Sequence, residues 1–354
     1  MTGVLAAIPA PPFDQLGPLN LYGLLIALGV IAAIWLLGRR FEERGAGTSD
    51  DASSIGVGAV IGGIIGARLY HVATDWDRFS DDLGAIPRLW EGGLGIPGGL
   101  LVGIPTGLYL ARRRGISAAM AATCAAPTIP LAQAIGRWGN YFNQELYGRP
   151  TELPWALEVD PEHLVADPDT GVLFEVGTTF HPTFLYESLW NLALCGALIV
   201  FDKRFKPGGG SLMAIYVAGY GLGRFWVEGL RVDPADTVAG LRWNQWVAVA
   251  AVVGGSMLAV ALAKRSGPDA WDPETMPVTA VAAGEVRESD TNTSGDDTSI
   301  ADDEHGGAAA DSSDDTADAP LVAADGDAST ADESLVAADA DASVDDDRGA
   351  DERA

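Results

Sequence analysis

Seven stretches of about 20 apolar residues recur along the chain, near 19–38, 54–75, 93–111, 117–136, 183–201, 211–230 and 243–263. At about 1.5 Å of rise per residue, a helix of that length matches the roughly 30 Å hydrocarbon layer of a bilayer. The stretches are apolar all round rather than along one face, which a soluble helix rarely is for so long. Several are rich in Gly and Ala, as in VGAVIGGIIGA from Val57. Small residues let membrane helices approach closely, where lipid removes the usual hydrophobic drive. The pattern predicts an all-α polytopic membrane protein with seven transmembrane helices.

Polar positions between the stretches fix the expected orientation. Arg39, Arg40 and Arg44 follow the first, Arg112, Arg113 and Arg114 the third, Lys203, Arg204 and Lys206 the fifth, and Lys264 and Arg265 the seventh. The alternate loops are acidic or mixed, as in TDWDRFSDD from Thr74. The positive-inside rule then puts the N-terminus outside and the C-terminus in the cytoplasm. The longest loop between spans, 137–182, falls on the outer side. Alternation in WALEV and the VLFEV run predicts one or two short strands or a hairpin there, in a small ordered outer domain. The expected division is a membrane domain over 1–266 and an acidic cytoplasmic tail over 267–354. In the tail LVAADGDAS recurs as LVAADADAS, with too little apolar surface to offset chain entropy.

Polar positions inside the stretches are the exceptions that need a reason. The stretch GRWGNYFNQELYG, from Gly136 to Gly148, places Arg137, Asn140, Asn143, Gln144 and Glu145 at the outer edge of the fourth span. An Arg at membrane depth costs about 2.5–3.5 kcal/mol on insertion scales, and an anionic head group is the simplest compensation. Gln133, Arg137, Asn140 and Gln144 share one face if the helix persists. A lone Arg there would read as a snorkelling side chain; this density of Arg, Asn, Gln and Glu reads as a site. The sixth span carries Tyr220, Arg224, Glu228 and Arg231 on one face, with Arg224 and Glu228 spaced to pair. Both stripes lie in the outer halves of their spans, so Arg137 and Arg224 reach the same leaflet and offer planar forks to a phosphate. Asn20 and Tyr22 begin the first span on that side. HPTFLYES adds His181, Tyr186 and Glu187, and ARLYH adds Arg68, Tyr70 and His71. Tyr22 alone also fits an interfacial anchor, and His181 before proline also fits a helix cap.

Charge changes this picture little. The formal net charge is −27, but 268–354 alone holds 26 acidic residues against three arginines. The main body is nearly balanced, and nothing in it offers the basic face that nucleic acid needs. Cys124 and Cys195 both lie inside apolar stretches, as buried structural thiols rather than a disulfide framework. The opening MTGVLAAIPAPPF lacks the basic region of a cleavable signal. No GxSxG elbow, HExxH pair, P-loop or Cys–His metal set occurs.

GRWGNYFNQELYG resembles the signature of bacterial prolipoprotein diacylglyceryl transferases, and NLYG, HPTFLYES and GYGLGRFWVEGLR resemble that family's other blocks in order, over about residues 15–265. The resemblance implies a seven-span enzyme of the bacterial inner membrane acting at the outer leaflet. It implies transfer of the diacylglyceryl group of phosphatidylglycerol to the lipobox cysteine thiol of a preprolipoprotein, forming a thioether and releasing glycerol phosphate. It implies functional roles for Tyr22, Arg137, Asn140, Glu145, Gly148, Arg224 and Glu228, and no cofactor. One departure stands out: many members have a His before the paired glycines of the third span, where this chain has Pro97. The base that takes the thiol proton is then Glu145, Glu228 or His181, or the thiol ionises in the field of the guanidinium groups. A transporter is the alternative from another class, since intramembrane charge also marks substrate pathways. It should show an internal repeat and polar groups near the midplane, whereas here the spans show no repeat and the polar groups gather at the outer ends. A non-catalytic scaffold is the third reading, and a transfer assay separates it.

Overall fold

The computed structural model describes residues 7–265 apart from 18, 81, 90, 91 and 169. The acidic tail expected over 267–354 lies outside the described residues. Helices occupy all seven apolar stretches. Helix α1 (Leu21–Glu43) starts where the Asn20 side chain accepts the Tyr22 N–H at 2.8 Å. Helix α2 (Ser49–Thr74) opens on a reciprocal capping box between Thr48 and Asp51, which satisfies backbone donors that the helix itself cannot. A short α3 (Trp76–Ser80) and a loop lead to α4 (Ile96–Arg113), with Pro97 in its first turn, where a missing N–H costs little. Next come α5 (Ala118–Ala125), α6 (Thr128–Phe142), α7 (Thr183–Phe205), α8 (Ser211–Glu228) and α9 (Trp243–Arg265). Among the described residues there are three antiparallel two-stranded ribbons: β1 (Gln15–Leu16) with β2 (Leu19–Asn20), β3 (Leu157–Glu158) with β4 (Thr179–Phe180), and β5 (Thr237–Val238) with β6 (Leu241–Arg242).

Helices α1, α2, α7 and α9 are each long and apolar enough to cross a membrane, and α5 with α6 makes a fifth if that pair is one span. The fourth apolar stretch is thus not the single straight helix that its pattern predicts. It breaks at Ala126–Pro127 with a 40° bend. Pro127 has no N–H to continue α5, and Pro127 and Pro130 instead occupy the start of α6. Helices α4 and α8 fill the third and sixth stretches, but each has 18 residues and carries charge near one end. Bulky apolar side chains point outward around the bundle; Leu101, Val200 and Met257 are 70%, 68% and 68% exposed. So much apolar surface would be an aggregation liability in water and is ordinary against lipid.

The basic loops meet at one end of the bundle. Arg40 Nη2 lies 2.6 Å from Asp202 Oδ2, and Arg44 pairs with the other oxygen of the same carboxylate. Arg40 Nε also donates to the Cys124 carbonyl at 3.1 Å. This buried knot ties α1, α5 and α7 above an apolar cluster of Leu37, Phe41, Ile55, Ala111, Ile116 and Met120. Helices α2 and α4 close on each other through small residues. A Cβ on Gly66 would strike the Gly98 carbonyl and the Val102 side chain, so this pair is held by close backbone approach.

At the opposite end, a small head built from 143–182 covers the bundle. Tyr147, Leu157, Leu164, Phe180, Phe184 and Val232 form its core. The Tyr147 hydroxyl donates to the His163 carbonyl at 2.8 Å and accepts the Val165 N–H at 2.9 Å. Burial raises its pKa, so it stays a neutral phenol. The WALEV segment forms β3, but its partner is β4. VLFEV forms no strand; Leu173 makes one isolated bridge with Ala166.

Two outcomes are expected. Asp202→Ala removes the carboxylate that two buried guanidinium groups share and should cost about 3–5 kcal/mol, read as a clear fall in the melting temperature of the detergent-purified protein; an unchanged value would contradict the knot. Gly66→Leu should separate α2 from α4 and abolish stable expression, whereas Gly196→Leu, where an added Cβ meets nothing within 4 Å, should be tolerated.

Candidate active site

Three helices deliver one charged cluster at the head end. Arg137 on α6 places Nε 2.6 Å from Oε2 of Glu187 on α7. Arg224 on α8 places Nη1 3.5 Å from the other oxygen of Glu187, and its Nη2 2.6 Å from Glu228 Oε2. Glu187 therefore lies between the two guanidinium groups, with 8% of its side chain exposed. Glu228, the last residue of α8, is fully buried. Besides Arg224, it faces Arg242 Nε at 2.9 Å, Arg231 Nη1 at 3.7 Å and Asn244 Nδ2 at 3.3 Å. Asp233 takes Arg231 Nε at 2.6 Å and Arg242 Nη2 at 2.8 Å. Four guanidinium groups thus share three carboxylates, Glu187, Glu228 and Asp233. Those three carboxylates leave one positive charge over, and Glu145 approaches it through Asn140.

The pairings differ in quality. Arg224 Nη1 is within ion-pair distance of Glu187 but is not aligned for a hydrogen bond. The 2.6 Å contacts of Arg137 with Glu187 and of Arg224 with Glu228 are likewise ion pairs held by proximity of charge.

Asn140 extends the cluster. Its Oδ1 accepts from Arg137 Nη1 at 3.3 Å, and its Nδ2 donates to Glu145 Oε1 at 2.7 Å. Glu145 returns to Asn140 because α6 stops at Phe142 and the chain turns sharply, with φ of 51° at Gln144 and 59° at Leu146. Left-handed conformations at residues other than Gly cost on the order of 1–3 kcal/mol and cluster at functional sites. The turn also takes Gln144 off the stripe that its spacing predicts. Gln144 is buried instead against Asp160, donating through Nε2 and accepting the Asp160 N–H, both at 2.7 Å. The Tyr22 ring lies against Gly139, where a side chain would collide with it, and is within electrostatic reach of Glu145 and Arg137.

Gly148 has a packing reason to be glycine. Its N–H donates to the His181 carbonyl at 2.9 Å, and the Arg149 N–H donates to the Leu230 carbonyl at 2.8 Å, which stitches the head to the end of α8. A Cβ on Gly148 would meet the His181 side chain at 2.8 Å and Leu230 O at 3.0 Å. His181 Nδ1 is 3.1 Å from the Tyr186 hydroxyl, which also accepts from Trp155 Nε1 at 3.0 Å. Indole N–H can only donate, so the phenol proton is best used on His181 Nδ1. That assignment puts the imidazole proton on Nε2. Burial lowers the His181 pKa and keeps the ring neutral near pH 7.

The remaining expected residues serve elsewhere. Arg68 spends its guanidinium on the carbonyls of Ala85, Ile86, Arg88, Gly92 and Gly93, stapling the loop before α4. His71 pairs with Asp75 at 2.8 Å. Gln133 accepts from the Tyr216 hydroxyl at 3.2 Å. Sequence reasoning noted Glu187 only as a neighbour of His181 and did not weigh Arg242. A lone carboxylate inside an apolar stretch was the available signal for Glu187, because at that depth it must find a cation. Arg242 had no comparable signal, since it reaches Glu228 across a ribbon rather than along a helix. Among the described residues no three His, Cys, Asp or Glu side chains converge on a metal-sized site.

Residues 13–261 match the family model described as prolipoprotein diacylglyceryl transferase. A relative from Frankia alni named phosphatidylglycerol–prolipoprotein diacylglyceryl transferase is 44% identical over 80% of this chain and 74% of its own. Proteins of the same name from Paenarthrobacter aurescens and Corynebacterium efficiens are 47% and 44% identical, over 74% and 82% of this chain and 84% and 92% of theirs. The chain belongs to the prolipoprotein diacylglyceryl transferase family.

Proposed function

We propose that this protein transfers the diacylglyceryl group of phosphatidylglycerol to the lipobox cysteine thiol of preprolipoproteins, the first step of lipoprotein maturation. The observation that carries the reading is the convergence of Arg137 and Arg224, from separate helices, on the single carboxylate of Glu187. Such a pair presents two planar forks to one phosphodiester. The family match and the names of the relatives supply the substrates that this site would hold.

In the reaction the acceptor sulfur attacks the glyceryl carbon bonded to the phosphate oxygen. The C–S bond forms, the C–O bond breaks, and the electron pair leaves on glycerol phosphate. Arg137 and Arg224 stabilise the charge that grows on the departing phosphate. Asn140 holds Arg137 from the side away from Glu187. No cofactor enters, because the phosphate ester is already a leaving group. The thiol has an ordinary pKa of about 8.5, so a base must take its proton or a positive field must favour the thiolate.

The contacts discriminate among the three candidate bases. Glu228 is locked to several guanidinium groups and would forfeit those pairs on protonation. His181 carries its proton on Nε2 and uses Nδ1 on Tyr186. Glu145 meets the amides of Asn140 and Asn143, at 2.7 and 3.5 Å, and gives up least on taking a proton. Glu145 is therefore the base in this reading, and His181 a neutral donor at the rim.

All seven helical stretches cross the plasma membrane in this reading, with α4 and α8 among them and α5–α6 as one bent span. The head and the cluster face the outer leaflet, because the arginine-rich loops gather at the opposite end of the bundle.

Two outcomes follow for membranes incubated with phosphatidylglycerol and a lipobox peptide, read by mass shift, and a third for the pH dependence of stability. Arg137→Ala and Arg224→Ala should each lose about 10²-fold or more in rate, and Lys at either position should remain poor for want of the fork; full activity in either Ala variant would end the phosphate-clamp reading. Glu145→Gln should lose activity that a rise in pH partly restores, whereas the parent rate should level off sooner. The lowered His181 pKa means the unfolded chain binds its proton more readily than the native state. Stability should therefore fall as pH drops through the imidazole range, and His181→Asn should flatten that part of the melting profile.

A further inference from the structure

Asn191 lies one turn of α7 beyond Glu187, on the same face and deeper in the bundle. It is 2% exposed, and its Oδ1 has no hydrogen-bond partner in the protein. A buried amide acceptor left so is costly, and native structures almost always satisfy one with protein or water. Asn191 lines a small cavity between α7 and α8, shared with Glu187, Tyr220 and Arg224. The Trp190 indole on the same wall is already committed to the Gly219 carbonyl at 3.1 Å. Arg224, whose Nη1 is the poorly aligned donor facing Glu187, lines the same cavity. One wall thus holds an acceptor without a donor and a donor without a good acceptor.

The cavity has a volume of about 10 Å³. That is close to the room one water needs, and a buried water needs two to four polar partners. A water is also the smallest group that both donates and accepts.

We infer that this cavity is a built site for one buried water, which donates to Asn191 Oδ1, accepts from Arg224 Nη1 and thereby holds the Arg224 fork at the angle a phosphate requires. Asn191 is then a positioning residue that acts on Arg224 through the water. The water site stands on burial and geometry; its effect on the reaction rests on the clamp reading given above.

Two variants and one structure test the inference. Asn191→Leu removes the acceptor and fills the space, so the melting temperature should hold or rise. The same variant should raise KM for phosphatidylglycerol about tenfold, the worth of one hydrogen bond to a charged group, with a smaller change in kcat. Asn191→Ser keeps an acceptor and leaves room for water, so it should stay within about threefold of the parent KM. A structure of the lipid-free enzyme at a resolution that shows ordered solvent should place one water within hydrogen-bond distance of Asn191 Oδ1 and Arg224 Nη1. A dry cavity, or an Asn191→Leu enzyme with parental KM, would overturn the inference. Equal loss of stability and activity in both variants would overturn it too, by making Asn191 a packing residue. The clamp is judged separately by Arg224→Ala: an inactive Arg224→Ala beside a parental Asn191→Leu sinks the water link alone, while an active Arg224→Ala sinks the clamp and leaves the water to the structure.

Discussion

The structure depends on one buried carboxylate, Glu187, holding two guanidinium groups from two other helices. None of these three charges would be tolerated alone at that depth, since removing one partner of a buried pair leaves an uncompensated ion. Together they fix how α6, α7 and α8 sit against one another. They also bring both guanidinium groups to one carboxylate. The same interaction serves the fold and, in the proposed reading, the chemistry: the constraint that makes the helices pack also brings the two arginines together.

Around that centre, the rest of the molecule acts as support. The head ties into the end of α8 through the backbone bonds of Gly148 and Arg149. The β5–β6 ribbon delivers Arg242 to Glu228, and Asp233 closes that side. At the far end the Arg40–Arg44–Asp202 knot fastens α1, α5 and α7. The two ends share a device, in which a carboxylate serves more than one arginine. They differ in access. The knot is enclosed by an apolar cluster, whereas Arg137 keeps 21% of its side chain exposed and can meet a ligand.

Much of this was legible in the chain because membrane helices announce themselves by length. The apolar stretches gave helices at all seven places, and the i, i+4 spacing of Arg224 and Glu228 gave a pair that the structure shows at 2.6 Å. Arg137 and Asn140 were likewise on one face. What spacing could not give was the end of α6. The helix pattern carried Gln144 onto the polar stripe, but the left-handed turn at Gln144 and Leu146 sends Gln144 to Asp160 and brings Glu145 back to Asn140. Nor could periodicity show that Pro127 bends the fourth stretch, because apolar content is blind to a missing N–H. The role of Glu187 was hidden for a third reason. Its partners come from two other helices, and only tertiary packing decides which cations a buried carboxylate meets.

Read as a whole, the site is a cationic fork with a neutral rim, and its claim on function is that one phosphate occupies both arms. The most direct measurement is a structure of the full-length enzyme with phosphatidylglycerol bound. The account predicts the lipid phosphate within hydrogen-bond distance of both the Arg137 and Arg224 guanidinium groups, with Glu187 still between them. A phosphate held by one arginine alone, or bound away from both, would contradict it.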